Sequence, residues 1–148
     1  MSLIELIDEN VVKVPLAAST KNDVISELLD LLVDGGKVRN RDRALDALLE
    51  RESQGSTGLE SGIAVPHAKT DAVDSLVVAI GVSPAGIDFQ ALDGQPSRLF
   101  FLMLAPPDQS GPHIEALAEI ARLARSQAFI RALIASGSAK DVIDLLSE

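Results

Sequence analysis

Apolar side chains recur along this chain with two different spacings. Val24, Ile25, Leu28, Leu29, Leu31 and Leu32 return every three or four residues, one face of a helix. Thr20-Lys21-Asn22-Asp23 precedes them, a hydroxyl cap with an acid three positions on, and Gly35-Gly36 follows as the stop. A second helix is predicted from an Asn40 cap, with Ala44, Leu45, Leu48 and Leu49 inward. It should fade near Ser53, ahead of Gly55 and Gly58. Three more helices are predicted over Pro112–Arg125, Gln127–Ala135 and Ser138–Leu146, and Ser138-Ala139-Lys140-Asp141 repeats the hydroxyl-to-acid start.

Leu76–Val82 and Leu99–Ala105 follow no such period. They are nearly unbroken apolar runs, as in strands buried on both faces, which requires helices on both sides of a sheet. Val11-Val12-Lys13-Val14, closed by Pro15, and Ile63-Ala64-Val65, stopped on one side by Pro66, are shorter strand candidates. Pro84-Ala85-Gly86 and Asp93-Gly94 read as turns, with room for a short strand around Ile87–Phe89. The pattern predicts an α/β fold: one domain over residues 1–148, with a central mixed β-sheet covered by helices on both faces. No internal repeat, low-complexity tract or interior linker interrupts it.

Composition excludes several functions for such a domain. A net charge of −9 lacks the basic stripe of a nucleic-acid binder. With no Tyr or Trp there is little material for a base-stacking platform. The absence of cysteine rules out a disulfide framework and a thiol nucleophile, and fits a reducing cytoplasm. Leu99–Ala105, the longest apolar run, has seven residues against the roughly 18 that span a bilayer, so no membrane insertion is expected. Met1-Ser2-Leu3-Ile4-Glu5 carries an acid where a signal peptide would be basic. The acidic balance suits basic protein partners, drawn by carboxylates expected to ring the site.

Candidate chemistry gathers around the two histidines. His67 follows Val65-Pro66 at the end of a predicted strand, the usual edge for ligand sites in α/β sheets, with Arg51, Ser56 and Thr57 upstream. His113 follows Pro112, which fits a first helical position, so its ring falls among the free N–H groups of a first turn. The helix field there favours a neutral imidazole that donates a hydrogen bond. A nucleophilic imidazole beside hydroxyls, a guanidinium and a helix N-terminus is what a phosphohistidine site needs. Each residue also has a plainer reading: His67 as a surface or core residue, His113 as a cap, Arg51 as a solvated side chain, Ser56 and Thr57 as turn formers. Lys37, Arg39, Arg41 and Arg43 read as a solvated face. Two histidines without a matching carboxylate motif do not make a metal site, and no cofactor is implied.

The segments Arg51-Glu52, Ser56-Thr57-Gly58 and Gly62-Ile63-Ala64-Val65-Pro66-His67-Ala68 resemble the active-site region of a known family, as does Gly111-Pro112-His113 with the Leu117–Leu123 stretch. It is that of the fructose/mannitol-type IIA proteins of the bacterial phosphoenolpyruvate-dependent sugar phosphotransferase system, including the nitrogen-regulatory IIA branch. The resemblance implies a phosphoryl carrier whose acceptor is His67, charged by the phosphocarrier HPr, itself charged by enzyme I. It implies that His113 stabilises the phosphoryl group and that Arg51 and Thr57 stand near it. The group would pass to a IIB domain for sugar uptake, or its presence would regulate a target protein. Without an attached IIB or membrane IIC segment the stand-alone or regulatory role is favoured. Glu60 occupies a place where many members have Gly, so it is expected to point away from the phosphoryl group.

Overall fold

In the computed structural model of the protein, which describes residues 2–148, helices and strands come in blocks rather than in the alternation typical of βαβ units. The order is α1 (Leu3–Leu6), β1 (Val12–Lys13), α2 (Lys21–Asp34), α3 (Arg41–Ser53), β2 (Ile63–Ala64), β3 (His67–Lys69), β4 (Val77–Ile87), β5 (Ser97–Ala105), α4 (Ser110–Leu123), α5 (Gln127–Ile134) and α6 (Ala139–Ser147), with a 3-10 turn at Glu9–Val11. The two apolar runs are the central strands, β4 and β5, paired antiparallel with Val78 opposite Met103 and Ile80 opposite Phe101. β1 lies parallel outside β4, and β2 and β3 lie parallel along the other edge of β5, so the sheet is mixed.

Alternation along the central strands divides the core into two layers. Ala79, Phe100, Leu102 and Leu104 pack with Val24, Leu28 and Leu32 of α2 and with Ala44 and Leu48 of α3. Val78, Ile80, Leu99, Phe101 and Met103 pack on the other face with Ala116 and Ile120 of α4, Ile130 and Leu133 of α5 and Val142 of α6. Phe100 and Phe101 are fully buried on opposite faces, and each such side chain contributes on the order of 1.5–3 kcal/mol. Helices therefore cover both faces, as the unbroken apolar runs require. Among the described residues no helix is long and apolar enough to cross a membrane.

The caps form where the sequence places them. The Thr20 hydroxyl accepts the Asp23 N–H, the Asn40 amide oxygen accepts that of Arg43, and the Ser138 hydroxyl accepts that of Asp141. Four local expectations are corrected. Pro84-Ala85-Gly86 is no turn between strands: β4 runs through it with a register break between Val82 and Ile87. A bulge tolerates the missing Pro84 N–H, and Gly86 adopts φ +84 where a Cβ would lie 2.7 Å from Pro96. Ile87 thus ends β4 and Phe89 lies beyond it, against Phe100. The Val11–Val14 strand shrinks to two residues, because Val11 closes a 3-10 turn that the Asp8 side chain caps. Finally, α4 begins at Ser110, which makes Pro112 its third residue, where an absent N–H is equally harmless.

β2 and β3 share one register against β5, Ile63 opposite Leu99 and His67 opposite Met103. They are a single edge strand interrupted at Val65-Pro66. The Val65 N–H faces the outer side and donates to the Thr57 carbonyl at 3.0 Å, beside the Gly58–Ala64 bridge. Pro66, next in line to donate to β5, has no N–H, and the Met103 N–H resumes the ladder on the Pro66 carbonyl.

Candidate functional site

That interruption prepares His67. The Val65 carbonyl lies 2.7 Å from Nδ1 of the His67 ring. A carbonyl oxygen only accepts, so Nδ1 must carry a hydrogen, and in the neutral ring the lone pair is then on Nε2. His67 is half-buried at the start of β3, and its ring meets that of His113 edge-on, with centroids 5.2 Å apart and planes at 75°.

His113 sits in the first turn of α4 and is 5% exposed. Its Nε2 is buried and finds no hydrogen-bond partner among the described residues. An orphaned polar atom of that kind costs about 1–3 kcal/mol unless a ligand satisfies it. Burial first, then the neighbouring His67 and Lys69, holds the His113 pKa below the ordinary imidazole value. The neutral ring expected from the sequence follows, with desolvation as its main cause.

The two rings open on a cleft of about 410 Å³ between α3 and α4. Ala47 and Ala68 give it an apolar floor, and Glu50, Arg51, Gln54 and Lys69 line its rim. Arg51 donates to the Gly55 carbonyl at 2.8 Å, and Lys69 donates from Nζ to the Ser110 hydroxyl at 2.8 Å, across to the start of α4. The lining thus carries two cations and one carboxylate, not the expected ring of acids. Lys69 is a cleft residue that sequence reasoning missed. Its signal lay in the alternation of a strand, which puts His67 and Lys69 on one side of β3.

The structure brings His67, His113 and Arg51 together and leaves Ser56 and Thr57 outside the cleft lining. The Ser56 hydroxyl donates to the Phe89 carbonyl and accepts the Gly58 N–H. The Thr57 hydroxyl donates to one oxygen of Glu52 and its N–H to the other, at 2.9 Å. Both hydroxyls hold the loop after α3. Glu60 lines a separate cleft with Asp93 and Arg131, so it stands away from His67 as expected. Among the described residues no cluster of three or more His, Asp or Glu side chains could hold a metal ion.

Residues 5–148 match the family described as "Phosphoenolpyruvate-dependent sugar phosphotransferase system, EIIA 2". The chain is 44% identical over 130 residues to the "PTS system fructose-specific EIIA component" of Haloferax volcanii, across 88% of this chain and 84% of that protein. Its fold superposes on the crystal structure of nitrogen regulatory protein IIA-Ntr from Neisseria meningitidis with a TM-score of 0.89, at 26% identity, covering 97% of this chain and 98% of that one. It is also similar to the IIA chain in the complex of enzyme IIAMTL with phosphorylated enzyme IIBMTL from Escherichia coli, with a TM-score of 0.82 and 26% identity over 95% and 96% of the two chains.

Proposed function

The chain belongs to the EIIA 2 family of the phosphoenolpyruvate-dependent sugar phosphotransferase system, and from that premise we propose that it carries a phosphoryl group on Nε2 of His67. The group comes from phosphorylated HPr and passes to a IIB component, in the cytoplasm. The observation that carries this reading is the 2.7 Å contact from Nδ1 to the Val65 carbonyl, which leaves Nε2 as the nucleophile. The Nε2 lone pair forms the new N–P bond as the donor's N–P bond breaks, its electron pair returning to the donor ring. The Val65 carbonyl goes on accepting the hydrogen bond from Nδ1–H while the N–P bond forms. A loose phosphoryl transition state needs donors and counter-charge on its equatorial oxygens. His113 offers a neutral buried ring with an unsatisfied nitrogen, and Arg51 and Lys69 offer cations at the rim. In this reading Ser56 and Thr57 shape the loop, and do not touch phosphorus.

Transfer to a IIB component is favoured by the 44% identity to a fructose-specific EIIA component. A regulatory role without a IIB acceptor is the second reading, favoured by the 0.89 superposition on a nitrogen regulatory protein. The test mixes the protein with enzyme I, HPr and labelled phosphoenolpyruvate, then with IIB proteins of the same cell. Acid-labile, base-stable label is expected on His67, none on His67→Ala, and label that transfers poorly on His113→Ala. Label on His67→Ala overturns the proposal. Stable label with no IIB acceptor, together with a protein captured only in one phosphorylation state, selects the regulatory reading.

A further inference from the structure

One carboxylate sits where neither packing nor helix electrostatics favours it. Glu52 lies in the last turn of α3, at the negative end of the helix dipole, and is 8% exposed. Its ion pair with Lys21, at 2.7 Å, is weak as a source of stability, because desolvating both charges offsets their attraction. Lys21 opens α2 and lies 5.0 Å over the Phe89 ring, so the pair ties two helices and a loop to one point. What Glu52 holds there is Thr57: one of its oxygens accepts the hydroxyl and the other the backbone N–H. The Thr57 carbonyl in turn accepts the Val65 N–H at 3.0 Å, the bond that ties Val65 to the loop on the outer side of this edge strand. The Val65 carbonyl then meets Nδ1 of His67.

We propose that Glu52 is a positioning residue for the phosphoryl acceptor: through Thr57 and Val65 it fixes the carbonyl that keeps hydrogen on Nδ1 of His67 and leaves Nε2 free to react. The inference rests on the role proposed above for His67. Both carboxylate oxygens are used, so truncation leaves the buried Thr57 N–H without an acceptor and frees the loop to seek another. A glutamine keeps the connection. Its carbonyl oxygen accepts the N–H, and its amide donates to a Thr57 hydroxyl that has rotated to accept.

The experiment reads the His67 ring directly, by long-range 1H–15N correlation on the full unphosphorylated chain at about pH 8, above the ordinary imidazole pKa of about 6.5. Phosphorylation kinetics with phospho-HPr run alongside. The wild type and Glu52→Gln are expected to show the Nδ1–H tautomer. Glu52→Ala is expected to show a mixture, with kcat lowered about tenfold or more and KM for phospho-HPr unchanged. A folded Glu52→Ala protein with the wild-type tautomer overturns the proposal, as does a glutamine variant as mixed as the alanine one. Should Glu52→Ala fail to fold, Thr57→Val removes the hydroxyl donor at nearly constant shape, and an unshifted tautomer there is equally fatal. The ring signal does not depend on phosphorylation. Expected tautomers in a protein that never accepts phosphate would refute the carrier reading and leave the role of Glu52 standing.

Discussion

The same chemical change, glycine to alanine, should have very unequal effects at two positions near the site. At Gly58 a Cβ would lie 2.9 Å from Ala91 Cα, 3.1 Å from Ala91 Cβ and 3.1 Å from the Phe89 carbonyl. Non-bonded carbons settle at about 3.5–4.0 Å, so the strands of loop must part by roughly half an ångström or more. Two of the three obstacles are backbone, and no rotamer change relieves them. The displacement strains the Leu92 N–H bond to the Gly58 carbonyl and the Gly58–Ala64 bridge. Overpacking of this kind costs about 1–3 kcal/mol. For a domain of this length that lowers Tm by about 2–4 °C per kcal/mol, or roughly 4–8 °C for a midrange value. At Gly111, in the first turn of α4, no other described part of the chain lies within 4 Å of a built Cβ. Gly111 precedes Pro112, whose ring disfavours helical backbone at a residue with a Cβ. That offsets the gain in helix propensity, and alanine there should leave Tm nearly unchanged. Calorimetric scans of the two variants beside the wild type decide it. A Gly58→Ala protein melting within about 1 °C of the wild type would refute the steric argument.

Acid should weaken the fold through His113. Burial, His67 and Lys69 depress its pKa, so the unfolded chain, titrating near 6.5, binds the proton first. Stability is therefore full above about pH 6.5 and declines as pH falls through the lower folded value; urea midpoints measured from about pH 8 to pH 5 should show that decline, and His113→Leu should flatten it. Arg51→Ala and Lys69→Ala should each slow phosphoryl transfer about ten- to a hundredfold, since charge-assisted hydrogen bonds are worth about 1.5–3 kcal/mol, and rates within twofold of wild type would remove that cation from the site. Glu60→Gly should change the labelling rate by less than about twofold, because Glu60 lines a different cleft, and a larger gain in quench-flow labelling would place its charge at His67 after all.

Elements whose residues obey one rule were legible in the sequence. Leu99–Ala105 reads as a strand covered on both faces, and Thr20, Asn40 and Ser138 announce helix starts that the hydrogen bonds bear out. β3 escaped because three residues, two of them polar, give no period, and its partner strand decides their conformation. The continuation of β4 through Pro84-Ala85-Gly86 escaped for a similar reason: pairing of Ile87 with Ser97 outweighs local turn chemistry. The histidines and Arg51 were legible as site candidates because a motif sets them close in sequence or at a helix start. Lys69 needed the unseen strand. Glu52 needed the contact with Thr57, and until that contact is known Thr57 reads as a free hydroxyl.

The break at Val65-Pro66 has a second consequence, for the solubility of the folded chain. An edge strand offers unpaired amides and carbonyls that can template another molecule's strand and begin aggregation. Here the β2–β3 edge is cut into lengths of two and three residues, has a proline at the cut and ends on a lysine. β1, at the opposite edge, is only two residues long, with Lys13 inside it and Pro15 just beyond. The irregularity that presents a nucleophilic ring at one margin of the sheet thus also denies neighbouring molecules a straight run of backbone to pair with.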